Sequence, residues 1–182
     1  MALTSTGFKP REKFDTSKIA PTEFDKEFRM QHLHGDVHDP GSAMFGEVAG
    51  HAGLFSDVED LSVIMQMLLN GGKINGKRYI KEETIKLFTS YNSTISRRGL
   101  GFDKPEKDNA TRPEPYPARS VSPLTFGHTG YTGTCVWADP KYNIVYIFLS
   151  NRVNPDGGDN LKLSHMNIRG KIQDAIYNAM KQ

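Results

Sequence analysis

The sequence predicts an α+β fold, an antiparallel sheet with a packed C-terminal helix. Three observations predict it. Two β-branched and aromatic runs, residues 134–138 and 144–150, flank the turn-forming Asp139-Pro140-Lys141-Tyr142-Asn143. A third short run, Thr125-Phe126-Gly127-His128, precedes them, so the three read as a meander. A stretch from about His165 to Met180 then places Ile168, Ile172, Ala175, Ile176 and Ala179 on one helical face. Sheet plus a covering helix is the α+β arrangement.

The remaining elements follow in chain order. Residues 1–42 read as irregular, because Pro10, Pro21, Gly35 and Pro40 interrupt them and no apolar period is sustained. A loop this long inside a compact domain is unusual and suggests a segment that frames a site. We therefore divide the chain into an irregular, site-framing part, 1–55, and a part of helices and sheet, 56–182. Ser56-Asp57-Val58-Glu59 reads as a capping box with Ser56 at the N-cap. Val58, Leu61, Ile64, Met65, Leu68 and Leu69 continue it at helical spacing, and Gly71-Gly72 ends the helix. Met65 and Met67 read as ordinary helix packing. Ile74-Asn75-Gly76-Lys77 carries the Asn-Gly hairpin signal. A second helix is expected from about Glu82 to Thr89, with Ile85 and Phe88 inward. Gly99-Leu100-Gly101-Phe102 reads as a short strand, and residues 103–123, with five prolines, as loop. Trp137 and Phe148 are expected in the core on the sheet.

Composition bounds the function. The chain has 182 residues, 37% hydrophobic and 24% charged, which suits one packed domain or a large piece of one. Its 23 basic and 21 acidic residues give a net charge of +2 with no basic stripe, which argues against nucleic acid. The opening residues lack the basic and apolar regions of a signal peptide. No apolar run approaches the roughly 20 residues of a membrane span. The single Cys135 excludes an internal disulfide.

Gly127-His128-Thr129-Gly130-Tyr131-Thr132-Gly133-Thr134 is the segment richest in chemistry. Taken alone it is a Gly-rich turn. It is not a phosphate loop, since the Lys is missing and a strand follows where a helix would be needed. His32-x-His34 with His38-Asp39 has donors that zinc accepts, against the plainer reading of a polar loop. His51 stands between Gly50 and Ala52-Gly53, where the backbone can pass close to another element; it is read either as a rim residue or as a structural histidine. Arg152 and Asn154 follow the last strand and read either as pocket residues or as solvated groups.

The order of these pieces is more specific than any one of them. Ala49-Gly50-His51-Ala52-Gly53-Leu54-Phe55-Ser56 precedes the capped helix. His128-Thr129-Gly130 precedes Trp137-Ala138-Asp139-Pro140, and Phe148-Leu149-Ser150-Asn151-Arg152 closes the series. The set resembles the C-terminal half of serine hydrolases of the class C β-lactamase and penicillin-binding-protein type. It is most similar to the domains attached to family-3 β-N-acetylglucosaminidases of Bacteroidetes-like bacteria. The resemblance implies a partial β-lactamase/transpeptidase-like fold and no cofactor or metal. It implies a small-molecule or peptide-like substrate and a periplasmic or cell-envelope parent protein. The implied partners are the upstream half of the same domain and a possible glycoside hydrolase domain.

By the resemblance, His128 has an electrostatic and proton-handling role, Thr129 contacts a substrate carboxylate or carbonyl, and Gly130 leaves room for the substrate backbone. The Tyr131 N–H would be an oxyanion donor, a group worth roughly 3–4 kcal/mol of transition-state stabilisation when preorganised. Arg152, His51 and Asn154 would bind substrate. The family's Ser-x-x-Lys and Tyr-x-Asn are absent from the sequence. Thr6-Gly7-Phe8-Lys9 has the first spacing without the helix it needs. Ser90-Tyr91-Asn92 has a Ser-x-Asn spacing, but it ends a surface helix. The expectation is a fragment, or a split or truncated gene product, inactive alone. The alternative is a non-catalytic ligand- or partner-binding module.

Overall fold

In the computed structural model, residues 2–155, 157 and 159–180 are described. The three C-terminal strands form one antiparallel sheet in the order β5 (Phe126–Thr129), β6 (Cys135–Asp139), β7 (Ile144–Phe148). The register is Phe126 opposite Ala138 and Thr129 opposite Cys135, then Cys135 opposite Phe148 and Asp139 opposite Ile144. Alternation along these strands builds a core on each face of the sheet. On one face Phe126 and Ala138 pack with Met65, and with Leu68, Leu69 and Phe102 beside them. Met65, Leu68 and Leu69 come from α2 (Val58–Leu69), which lies across β6 and β7. On the other face Cys135, Trp137 and Tyr146 pack with Tyr116. Tyr177 of the C-terminal helix joins Ala118 and Val121 at the far end.

Gly127 is required at the centre of β5. A Cβ there would meet Val136 O at 2.0 Å and Trp137 Cε3 at 2.7 Å. The Asn-Gly hairpin forms as expected between β3 (Lys73–Ile74) and β4 (Lys77–Arg78), with Asn75 and Gly76 both left-handed. Gly71 ends α2, and α3 runs over Glu82–Thr89 with Ile85 buried.

Several expectations are corrected. The first 55 residues are not wholly irregular. They contain the hairpin β1 (Pro21–Asp25) and β2 (Gln31–His34), a short helix α1 (Pro40–Met44) and two 3-10 turns. The inward residues of β1 are Thr22 and Asp25, so no apolar alternation marks it. Asp25 builds the connecting turn by accepting the N–H groups of Glu27, Phe28 and Arg29. Arg29 returns an Nε–H to Asp25 and donates to Val37 O and His38 O.

The N-cap of α2 is Asp57, not Ser56. The Asp57 carboxylate accepts the Asp60 N–H at 2.8 Å, while the Ser56 hydroxyl bonds Thr6. Phe88 is exposed rather than inward, and Val58, at the start of α2, is exposed as well. Gly99–Phe102 is not a strand; a single bridge, Asp103 to Gly127, touches the sheet there. The terminal helix is two pieces, α4 (Lys162–His165) and α5 (Ile168–Ala179), split at a left-handed Asn167. Helix α5 docks through Gly170, Gln173 and Tyr177, and Ile172, Ala175, Ile176 and Ala179 face outward. Gly170 sets this rotation, since a Cβ there would lie 2.6 Å from Pro117 O. The Tyr177 hydroxyl fixes it by donating to buried Asp139 at 2.8 Å.

Candidate functional site

Strand β5 is an edge of the sheet, so only its even-numbered residues bond to β6 through the backbone. Gly130 continues that pattern by donating to Thr134 O at 2.9 Å. The odd-numbered residues turn their backbone groups outward. Gly127 exchanges both hydrogen bonds with Asp103. Beyond that bridge the edge is open, and among the described residues no acceptor takes the Tyr131 N–H. Gly133, left-handed, closes the turn by donating to Gly130 O at 3.0 Å. This turn fixes Gly130 and places the Tyr131 amide directly after Thr129 at the end of β5.

His128 is exposed, and both of its ring nitrogens are engaged. Nδ1 lies 2.7 Å from Thr129 O, and Nε2 lies 3.0 Å from Arg98 Nη1. Behind it a buried polar cluster holds the wall. The Asp103 carboxylate accepts the Tyr116 hydroxyl at 2.8 Å and Arg97 Nη2–H at 3.2 Å. Arg97 Nε also sits 2.9 Å from Asp103, an ion-pair distance without good hydrogen-bond geometry. The Arg97 guanidinium lies over the Tyr116 ring at 4.3 Å and reaches Glu106 at 3.1 Å. The Tyr116 oxygen is 3.5 Å from the Thr129 hydroxyl. Burial alone would raise the Asp103 pKa; the Tyr116 hydroxyl and Arg97 outweigh it and hold the carboxyl below its usual range. Burial raises the Tyr116 phenol.

The β1–β2 segment approaches from the other side of Tyr131. The His38 ring stacks on Tyr131 at 4.7 Å between centroids, and His38 Nε2 bonds Glu23. The Arg152 guanidinium lies 4.9 Å from the Tyr131 ring centre, and its backbone N–H donates to Thr132 O. His51 bonds the Asp39 carboxylate at 2.9 Å, next in the chain to His38. The Ser42 N–H and the His51 side chain hold the Asp39 carboxyl below its ordinary range. Asn154 is exposed and its N–H donates to Asn151 O at 3.3 Å.

The structure thus brings His128, Thr129, Gly130, Tyr131 and Arg152 together. Among the described residues His51 is linked to them through Asp39 and His38, and Asn154 lies on the loop after β7. The possible metal group is dispersed: His34 bonds Ile19 O, His32 packs edge-on against Phe24, and His38 takes Glu23. Among the described residues no three His, Cys, Asp or Glu side chains are placed to share an ion. Ser90 and Asn92 cap α3, donating to Lys86 O and to Leu87 O. Thr6 is tied to Asp60 and Ser56 and is not paired with Lys9.

Sequence reasoning missed Arg97, Arg98, Asp103 and Tyr116. Asp103 and Tyr116 sit in the proline-rich stretch read as loop, Arg97 and Arg98 just before the short strand read at Gly99–Phe102, and only tertiary contact places them behind β5. It also missed Lys104, whose amine burial pushes down to about 8. Lys104 is 2% exposed and donates to Thr125 O at 3.0 Å, so it supports the loop and does not reach the open edge.

The beta-lactamase family model matches residues 4–167. A protein of Escherichia coli K12 named "Putative D-alanyl-D-alanine carboxypeptidase" is 34% identical over 202 residues, covering 100% of this chain and 46% of its own length. One of the same name from Salmonella enteritidis PT4 is 33% identical, again over 46% of its length. The chain therefore spans about half the length of the curated relatives it matches. A beta-lactamase from Mycobacterium bovis shares the fold with a TM-score of 0.50 at 22% identity, over 69% of this chain and 46% of that one.

Proposed function

The chain belongs to the beta-lactamase family, and from that premise we propose that residues 1–182 are the C-terminal portion of one serine hydrolase domain acting by acyl transfer. Its substrate class is an amide, an ester or a peptidoglycan-type peptide. The name of the E. coli relative supports the last of these. The observation that carries the reading is the open edge of β5, where the Tyr131 N–H, without an acceptor among the described residues, follows directly on Thr129 and Gly130. An outward amide in a fixed turn suits an oxyanion, because its dipole is already oriented when charge develops.

In this reading His128 and Tyr131 are the catalytic contributions of the chain, with Thr129, Gly130, Arg152, His51 and Asn154 toward substrate. Arg152 stands over Tyr131, which favours it over His51 and Asn154 for a substrate carboxylate. The nucleophile comes from a polypeptide segment carrying Ser-x-x-Lys and Tyr-x-Asn, since the sequence has neither. That segment is the partner this chain needs, and the ordered motifs also support a family-3 glycoside hydrolase domain in the parent protein.

The test is a burst assay with a nitrophenyl ester and a chromogenic cephalosporin. The chain alone should give no burst. Joined behind a segment with Ser-x-x-Lys it should turn over, and His128→Ala in the joined protein should lower kcat more than it raises KM. Persistent inactivity of the joined, folded protein would instead favour a non-catalytic ligand- or partner-binding module.

A further inference from the structure

The two contacts of the His128 ring determine where its proton sits. A carbonyl oxygen only accepts, so the nitrogen 2.7 Å from Thr129 O must be an N–H; that nitrogen is Nδ1. A guanidinium only donates and stays protonated, so the nitrogen 3.0 Å from Arg98 Nη1 must present a lone pair; that nitrogen is Nε2. The opposite tautomer would set lone pair against lone pair at one end and N–H against N–H at the other. A doubly protonated ring would set a cation against a cation.

The groups facing the pair do not reverse this. Asp103 is the nearest carboxylate, 4.0 Å from Arg98 Nη2. Asp103 is already held by Tyr116 and Arg97. The Arg98 side chain is 53% exposed, so its remaining donors face solvent at the mouth of the open edge.

We infer that Arg98 is a positioning residue that holds His128 as the neutral Nδ1–H imidazole, so that the positive charge at this end of β5 belongs to Arg98. The catalytic consequence rests on reading β5 as the wall of an acyl-transfer site. There, Arg98 acts through His128: it fixes which ring nitrogen carries the proton when that ring serves in proton handling. The proton assignment itself stands on the two contacts alone.

Long-range proton–nitrogen correlation on the 15N-labelled chain at neutral pH reads the tautomer directly, with the ring assigned by its loss in His128→Gln. Nδ1 should give a pyrrole-type shift and Nε2 a pyridine-type shift. In Arg98→Ala, and in Arg98→Met, which keeps the aliphatic stem, the Thr129 O contact remains but Nε2 loses its donor, so the two ring-nitrogen shifts should move toward each other as the Nε2–H form gains population. An Nε2–H ring in the wild-type chain, or an unchanged ring in a folded Arg98 variant, would overturn the inference. If either variant loses its dispersed amide spectrum, the wild-type ring and the other variant decide. No hydrolysis is read, so an active joined protein with an Nε2–H ring would refute this inference alone, and an inactive one with an Nδ1–H ring would refute only the proposed function.

Discussion

Replacing Asp103 by Asn should unlock the wall behind β5. The carboxylate is 1% exposed, and its ion-pair partner Arg97 is only 28% exposed by side chain. Removing one partner of a buried pair costs about 3–5 kcal/mol, because the other charge is left buried and unmatched. Arg97 keeps Glu106 at 3.1 Å, which offsets part of that loss. We therefore expect a loss of about 2–4 kcal/mol at neutral pH. With a urea m-value of about 2 kcal/mol/M, the unfolding midpoint should fall by about 1–2 M. The pH dependence follows from the lowered pKa of Asp103. A carboxylate with a depressed folded pKa contributes stability above its unfolded value, near 4, and loses it as pH falls through the folded value. The gap between wild type and Asp103→Asn should therefore narrow below about pH 4. The assay is urea unfolding followed by far-UV circular dichroism across pH. A midpoint shift under about 0.3 M at pH 7, or a gap that widens in acid, would refute the reasoning.

Gly127→Ala should lower stability by about 2 kcal/mol or more, since its Cβ would collide with backbone at 2.0 Å, and thermal unfolding measures it. Cys135 is 2% exposed and burial pushes its thiol up to about 11, so it should resist a disulfide reagent at pH 8 in the folded chain and react at once in urea. Tyr177→Phe should cost about 1–3 kcal/mol through the lost donor to buried Asp139, read by urea midpoint; a neutral change would refute that bond. Leu149, Ile172, Ile176 and Met180 are exposed, and sedimentation velocity should show concentration-dependent self-association; a monodisperse monomer at high concentration would contradict it.

The sheet was legible because β6 and β7 are β-branched and aromatic runs around the turn signal Asp139-Pro140, and the β3–β4 hairpin because of Asn75-Gly76. Helix α3 was legible to the residue at both ends. The β1–β2 hairpin was not, because the buried positions of β1 are Thr22 and Asp25, Leu33 alone is buried in β2, and a carboxylate fixes the turn. The orientation of α5 was misread for a related reason. Its isoleucines make the stronger apolar stripe, yet Gly170 allows close approach and Tyr177 finds a buried carboxylate. At the candidate site, His128-Thr129-Gly130 was legible as a contiguous motif. Arg98 and Asp103 were not, because 30 and 25 residues separate them from His128 and only folding brings the three together.

We propose that this chain supplies the wall and oxyanion donor of an acyl-transfer site, and another segment its nucleophile. Treatment with a serine-acylating β-lactam, followed by intact-mass measurement and peptide mapping, tests it most directly. The chain alone should take up no adduct, whereas the protein joined to a Ser-x-x-Lys segment should take up one, on the serine of that segment. Stoichiometric acylation of the chain alone, mapped to a serine within residues 1–182 such as Ser90, would contradict the account.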